Sequence, residues 1–441
     1  AVTLPSAPSA AWARLAVDRT VVSPDVAYVF GAAGSAAHLW RRSGTTWTKI
    51  TTLPATPPLN INQAWYDWFV AAPPDDTKQV FIGAIDTYRG TLGAGWTWKC
   101  VTTQGAKSIH PDQHCLSFSP ANSKIIYAGN DGGIYRSADS GDNWTAINKG
   151  LGISELEYLG SDPTTWKWLM AGTQDNGTIR FTGSPISWDH IADGDGGDCG
   201  VNQSNPSVVY HSYFSVTLER STNKGNSWTS LNPPSVQSLF YPPVEVADLT
   251  VAIGGASLVV TRTGIAPWTT VALALGGELP SAMRAIDPKT ILIGTTGGRL
   301  LRMSWNGASW VKTVLTAPSA PRYISCIAVD PSNTSRYWVT VSQLGGGLVY
   351  RSDTAGSTWV NCTAGLPNIP MNSVVVDPAN FKRIFVSADV GVYQSLNNGA
   401  SWANFSTALP NAMAVDLILH KKDRILICAT RNRGAWVIPV P

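Results

Sequence analysis

Nine tryptophans recur through this chain at nearly constant spacing. Trp47, Trp98, Trp144, Trp188, Trp228, Trp268, Trp310, Trp359 and Trp402 lie 40 to 51 residues apart. Such a period matches one four-stranded propeller blade of about 40–50 residues. The best-formed unit is Ser137-Ala138-Asp139-Ser140-Gly141-Asp142-Asn143-Trp144. It reads as a tight hairpin turn. Asp139 can accept backbone N–H groups within the turn. Gly141 supplies the positive φ that the turn needs. Ser137 caps the loop, and Trp144 anchors the strand that follows. The turn returns with substitutions at Ser221–Trp228, Ser352–Trp359 and Ser395–Trp402. Looser forms end at Trp47, Trp98 and Trp310.

Each period carries short β-branched runs separated by Gly, Pro and Asn, the expected strand signal. The ninth is the clearest. Its strands are 373–376, 383–387 and 391–395, and a fourth begins at Trp402. Three strands remain after it, at 413–419, 424–429 and 434–439, without a fourth partner. Ala1 to Pro5 can supply one, because a propeller hides its sheet edges by closing its ring. The expected fold is therefore all-β: a single propeller over residues 1–441, with about ten four-stranded blades. The tenth blade combines 413–441 with 1–5, so mixed N- and C-terminal strands close the ring. No linker or composition break divides the chain.

Composition narrows the function classes. Charged residues are only 14% of the 441, with 40 Gly and 29 Pro, which suits a β-rich globular protein. A net charge of +3 argues against a nucleic-acid or anionic-membrane partner. No apolar run approaches the roughly 20 residues of a membrane span. The chain begins with Ala1 rather than Met, which suggests a mature or trimmed product, and secretion is expected. Cys100, Cys115, Cys199, Cys326, Cys362 and Cys428 show no Cys-x-x-Cys spacing. They read as buried thiols, with one or two disulfides as the alternative.

In a propeller, the connections into the first strand and between the second and third strands emerge on one face, around a central channel. Unusual polar residues collect there, mostly on blades two to five. They are Asn62 to Trp68, His110-Pro111-Asp112-Gln113-His114, Asn130 to Gly133, Thr173-Gln174-Asp175-Asn176-Gly177 and Asp193-Gly194-Asp195-Gly196-Gly197-Asp198. Ser387 to Gly391 and Arg431-Asn432-Arg433 lie in equivalent connections of the last two blades. Blades six and seven carry plainer turns.

Three chemistries follow. Extended backbone would point His110, Asp112 and His114 to one side, where they can bind a divalent metal, pair as acid and base, or line the channel mouth. The 193–198 loop resembles a calcium loop in composition but lacks the spacing of an EF-hand. Glycoside hydrolysis needs two carboxylates across a cleft, and Asp67, Asp131, Asp175 and Asp389 are the candidates. Trp65 and Trp68 could stack on sugar rings, or could belong to the core. Gln174, Asn176, Arg431 and Arg433 could hold substrate.

These motifs resemble the Asp-box propeller superfamily over nearly the whole chain. Within it the chain is most similar to sortilin/Vps10-like proteins and to microbial glycoside-hydrolase-74-like repeat proteins. The Vps10 resemblance implies ten blades. The glycoside hydrolase resemblance rests on Asp131-Gly132-Gly133 and Asp389-Val390-Gly391, which resemble that family's Asp-Val-Gly-Gly segments. Departures are plain. The Arg-Ile-Pro motif of sialidases is absent, family-74 enzymes are longer and built of two seven-bladed propellers, and the Cys-rich module that follows the sortilin propeller is missing.

Three functions stay open on this reading. The first is a secreted, carbohydrate-active hydrolase with channel-face carboxylates. The second is a noncatalytic propeller that binds a peptide or glycan in its channel. The third is a metal-dependent enzyme built on His110, Asp112 and His114. A glycan or peptide is the expected partner, and the expected state is a monomer.

Overall fold

The computed structural model describes residues 3–22, 26–103, 108–184, 187–319 and 322–441. They form ten antiparallel sheets whose strands pair in chain order. Nine sheets have four strands and the last has three. The second strand of a sheet is typically its most buried. Ala27–Ala33, Leu169–Thr173, Thr250–Gly254 and Ile384–Ala388 are buried at every position. A strand covered on both faces favours small and β-branched residues, and these runs have them. The ninth sheet follows the expected pattern, with strands Met371–Val376, Ile384–Ala388, Val392–Ser395 and Ala403–Asn404.

The chain divides into two compact units, residues 1–151 and 152–441. The first holds three sheets, whose innermost strands are Trp12–Arg19, Phe69–Ala71 and Gln113–Ser119. The middle one packs against both others. Trp68 belongs to this core. Its indole stacks on Phe30 at 3.9 Å and donates to the Phe30 carbonyl at 3.1 Å, so it is not available to a sugar.

The Ser137–Trp144 turn forms as its residues dictate. Ser137 Oγ accepts the Gly141 N–H at 2.8 Å and donates to Asp139 Oδ1 at 2.8 Å. Asp139 also accepts the Asn143 backbone and side-chain N–H groups at 2.8 and 2.7 Å. Ser140 and Gly141 take φ of 60° and 91°. The Trp144 indole reaches back to the Val101 carbonyl, 2.6 Å away. Trp228, Trp359 and Trp402 make the same reach to Ile191, Thr316 and Cys362, at 2.8, 2.9 and 2.8 Å. The repeated tryptophan is thus a tie from one sheet to the one before it.

The second unit holds seven sheets. Their innermost strands are Leu156–Ser161, Cys199–Val201, Val244–Ala247, Pro280–Asp287, Ile324–Asp330, Met371–Val376 and Ala414–His420. Each neighbours the next, and Ala414–His420 also packs against Leu156–Ser161. The Leu159 and Trp166 N–H groups donate to Asp416 and Asp423 at 3.1 and 2.9 Å, and His420 Nε2 lies 2.9 Å from the Asp162 carbonyl. A channel of about 1090 Å³ runs between these strands. Tyr158, Asp198, Glu245, Arg284, Cys326 and Asp416 are among its lining residues.

Among the described residues no N-terminal closing strand forms. Residues 1 and 2 lie outside the described residues, and 3–5 carry no strand. The Pro5 carbonyl instead accepts the Trp40 indole of the first sheet at 2.8 Å. The last sheet, Ala414–His420, Ile425–Thr430 and Gly434–Pro439, keeps three strands. All six cysteines are free thiols, Cys115 exposed and Cys326 partly so.

Candidate active site

Two glycine-rich loops build a polar cluster in the second unit. Residues 173–177 link two strands of the fourth sheet, and 193–198 lead into the fifth. The loops press together backbone to backbone. The Gly196 N–H donates to the Thr173 carbonyl at 2.9 Å, and the Thr173 N–H to the Gly177 carbonyl at 3.0 Å. A Cβ on Gly196 would collide with Gly177 O and Thr173 N, and one on Gly172 with the carbonyls of Gly196 and Gly197. Only glycine permits this approach.

The approach brings Asp175 and Asp195 together. Gln174 Nε2 donates to Asp175 Oδ1 and to Asp195 Oδ1, each at 3.0 Å. The two oxygens are therefore at most twice that distance apart. The Asp175 N–H also lies 3.3 Å from Asp195 Oδ1. Tyr241 Oη donates to Gln174 Oε1 at 2.6 Å, which fixes the amide, and lies 3.5 Å from Asp195 Oδ1. Both aspartates are half-buried. Burial, with the Asp175 charge adding to it, raises the Asp195 carboxyl above its ordinary value. Asp175 itself has φ +59°, a left-handed conformation that Asp and Asn tolerate better than other non-glycine residues.

Further charges flank the pair. Burial raises Tyr241, and the carboxylates of Asp195, Glu157 and Asp175 add to the shift. Arg431 pairs with Glu157 at 2.8 Å and with Glu155 at 3.7 Å. The Tyr158 ring meets Tyr241 edge-on at 6.3 Å. Arg433 turns aside and donates to the Asn432 carbonyl at 2.7 Å. Asn176 is exposed and donates to the Gln174 carbonyl.

The calcium-loop reading of 193–198 fails because its carboxylates diverge. The Asp193 side chain stands fully in solvent. Asp195 faces Gln174, while Asp198 accepts the Val244 and Cys199 N–H groups, each at 2.8 Å. Burial pushes Asp198 up to about 7.

A second cluster lies in the first unit. Asp131 accepts the Tyr66 hydroxyl at 3.0 Å, and its Oδ1 lies 2.6 Å from His114 Nε2. The Tyr66 ring stands perpendicular to His114 at 4.8 Å, and Trp65, 70% exposed, lies beside Tyr66. Asp67 is fully buried. Burial first, then the nearby Asp112 charge, raises it to about 7.

The metal reading of His110, Asp112 and His114 fails here. Asp112 has φ +62°, so the backbone is not extended and the expected alternation is lost. His110 Nδ1 lies 3.2 Å from the Pro111 carbonyl, Asp112 accepts the Gln63 amide at 2.8 Å, and His114 faces Asp131. Among the described residues no group of three or more His, Cys, Asp or Glu is arranged to hold a metal. His114 beside Asp131 keeps the geometry of an acid/base pair. Asp389 accepts the Asn372 amide at 3.1 Å, in the ninth sheet.

Of the residues expected at a site, Gln174, Asp175 and Asn176 share one loop, with Arg431 linked through Glu157. Asp131, His114 and Trp65 form the other cluster. Sequence reasoning missed Tyr241 and Glu157, and gave Asp195 a calcium role only. The signal for Asp195 was the glycine on either side of it.

A structure of YCF48 from Cyanidioschyzon merolae superposes on 65% of this chain and 96% of its own, at 14% identity and a TM-score of 0.51. The chain is a β-propeller protein. At that identity the likeness speaks for the fold alone. A GH74 enzyme from Niastella koreensis spans 97% of the propeller chain and 83% of its own, at 14% identity. Its TM-score is 0.37, too low for any argument to rest on it. No protein-family profile and no curated protein matches the sequence.

Proposed function

We propose that this propeller is a carbohydrate-active hydrolase centred on Asp175 and Asp195. One observation carries the reading: two half-buried carboxyls held by a single amide, one of them raised in pKa by its surroundings. Asp195 is then the general acid, keeping its proton at a pH where an ordinary aspartate has lost it. Asp175 is the nucleophile. The limit on their separation fits the about 5–5.5 Å of double displacement better than the about 6.5–9.5 Å of inversion. In the first step the glycosidic C–O bond breaks, Asp195 gives its proton to the leaving oxygen, and Asp175 forms an ester with the anomeric carbon. In the second, Asp195 takes a proton from water as that water cleaves the ester. A polymeric glycan substrate would place the enzyme outside the cell.

A noncatalytic reading has one observation in its favour: Asp175 and Asp195 already accept the Gln174 amide, as carboxylates that merely bind a ligand would. The two readings part on mutation. Hydrolysis of a panel of neutral oligosaccharides, followed by reducing-end release, should fall by at least about 10³-fold in Asp175→Asn and in Asp195→Asn. Oligosaccharide binding by the wild type without turnover, or turnover that survives both substitutions, would sink the catalytic reading.

A further inference from the structure

Four aromatic rings form a connected series beside the carboxylate pair. Tyr241, whose hydroxyl holds Gln174, meets Phe240 edge-on at 4.8 Å. Phe240 lies parallel to Phe214, at 5.5 Å and 11°. Phe214 then meets Tyr213 at 4.5 Å. Tyr213 returns to the site, because its ring occupies the space where a Cβ of Gly194 would be, next to Asp195. Large rings normally seek the core, yet Tyr213, Phe214 and Phe240 are 37%, 38% and 53% exposed. Contiguous exposed apolar surface of this kind marks a binding surface.

The rings are held in place. The Ser215 N–H donates to the Phe240 carbonyl at 2.7 Å, tying together the two loops that carry them. Thr217 Oγ1 accepts the Tyr213 N–H at 3.1 Å and donates to the Phe214 carbonyl at 3.0 Å. Ser215 sits between them at φ 56°. A preset platform spares a ligand the entropy of ordering it.

Resting on the hydrolase reading, we propose that Tyr213, Phe214 and Phe240 form a glycan-binding subsite that guides a neutral polysaccharide toward Asp175 and Asp195. Flat aromatic faces suit pyranose rings whose substituents are equatorial, since such rings present apolar C–H faces. Charge selects against acidic sugars. Asp193 and Asp175 place negative charge beside the rings, and Arg431 is already engaged by Glu155 and Glu157.

The test uses the full chain with Asp195→Asn, which separates binding from turnover. A β-1,4-linked glucohexaose is titrated calorimetrically, with a polygalacturonate hexamer as the anionic comparison. The neutral hexamer should bind and the anionic one should bind at least about tenfold more weakly. Phe214→Ala with Phe240→Ala should weaken the neutral hexamer about tenfold or more, and Trp at both positions should restore it. Circular dichroism establishes that each variant is folded. Failure of the neutral hexamer to bind, equal binding of both hexamers, or affinity indifferent to the alanines would overturn the subsite. Binding that behaves as expected while the wild type hydrolyses nothing would instead overturn the hydrolase reading and leave the subsite standing.

Discussion

Asp67 shows what one buried carboxyl does to the energetics of this chain. Its carboxyl is fully buried and the Asp112 charge lies close to it, so the folded state favours its protonated form. With the folded value near 7 and the unfolded value near 3.9, the contribution to stability is complete below about pH 4. It is lost as pH rises toward 7, where the buried carboxyl must ionise beside the Asp112 charge. Denaturant titrations at pH 5 and pH 8 should find the first unit less stable at pH 8 by roughly 1–4 kcal/mol. Asp67→Asn should reduce that difference. A wild type whose stability is flat over this range would show that the buried group is satisfied in some other way. Legibility at this scale was uneven. Asp175 and Gln174 were visible because polar residues in a connection of a repeat fold stand out. Trp68 was ambiguous, since an indole beside Trp65 and Tyr66 reads equally as platform or core. His110, Asp112 and His114 misled because their pattern presumes extended backbone, and a left-handed residue in the middle is invisible in the letters.

At the scale of elements, the chain's meaning lies in its punctuation. Glycines at 172, 177, 194, 196 and 197 allow two loops to share one layer. Aspartates 20 residues apart in sequence thereby come under one amide. The sequence made strands and turns plain because alternation and turn chemistry are local. It left the pairing of the loops hidden because close approach is a property of two segments at once. Gly196→Ala tests this packing. Its Cβ would meet backbone atoms, which cannot rotate away, so the loops must part. We expect a stability loss of roughly 1–3 kcal/mol and a fall in kcat/KM of about tenfold or more, since misplacement by about 1 Å costs catalysis heavily. An active variant with unchanged melting would mean that the loops are not held as described.

At the scale of the whole chain, repetition explains both what was legible and what was not. A tryptophan every 40 to 51 residues announced the sheets, and six of these indoles, Trp98, Trp144, Trp228, Trp268, Trp359 and Trp402, reach a carbonyl of the preceding sheet. How sheets group was not encoded in the period. It depends on contacts such as Leu159 to Asp416, 257 residues apart, and on the N-terminal segment lying against Trp40 rather than in the last sheet. Seven sheets surround a channel, and the connections between their strands carry the aspartate pair, the Gln174 clamp and the aromatic rings. The most direct test of the hydrolase assignment is the configuration of the first-formed product. Proton NMR of a neutral β-linked oligosaccharide digested by the wild type should show the β-anomer appearing first, before mutarotation. That retention should vanish together with turnover in Asp175→Asn. First appearance of the α-anomer would contradict Asp175 as nucleophile, and an intact, glycan-binding protein that releases no product would contradict the assignment itself.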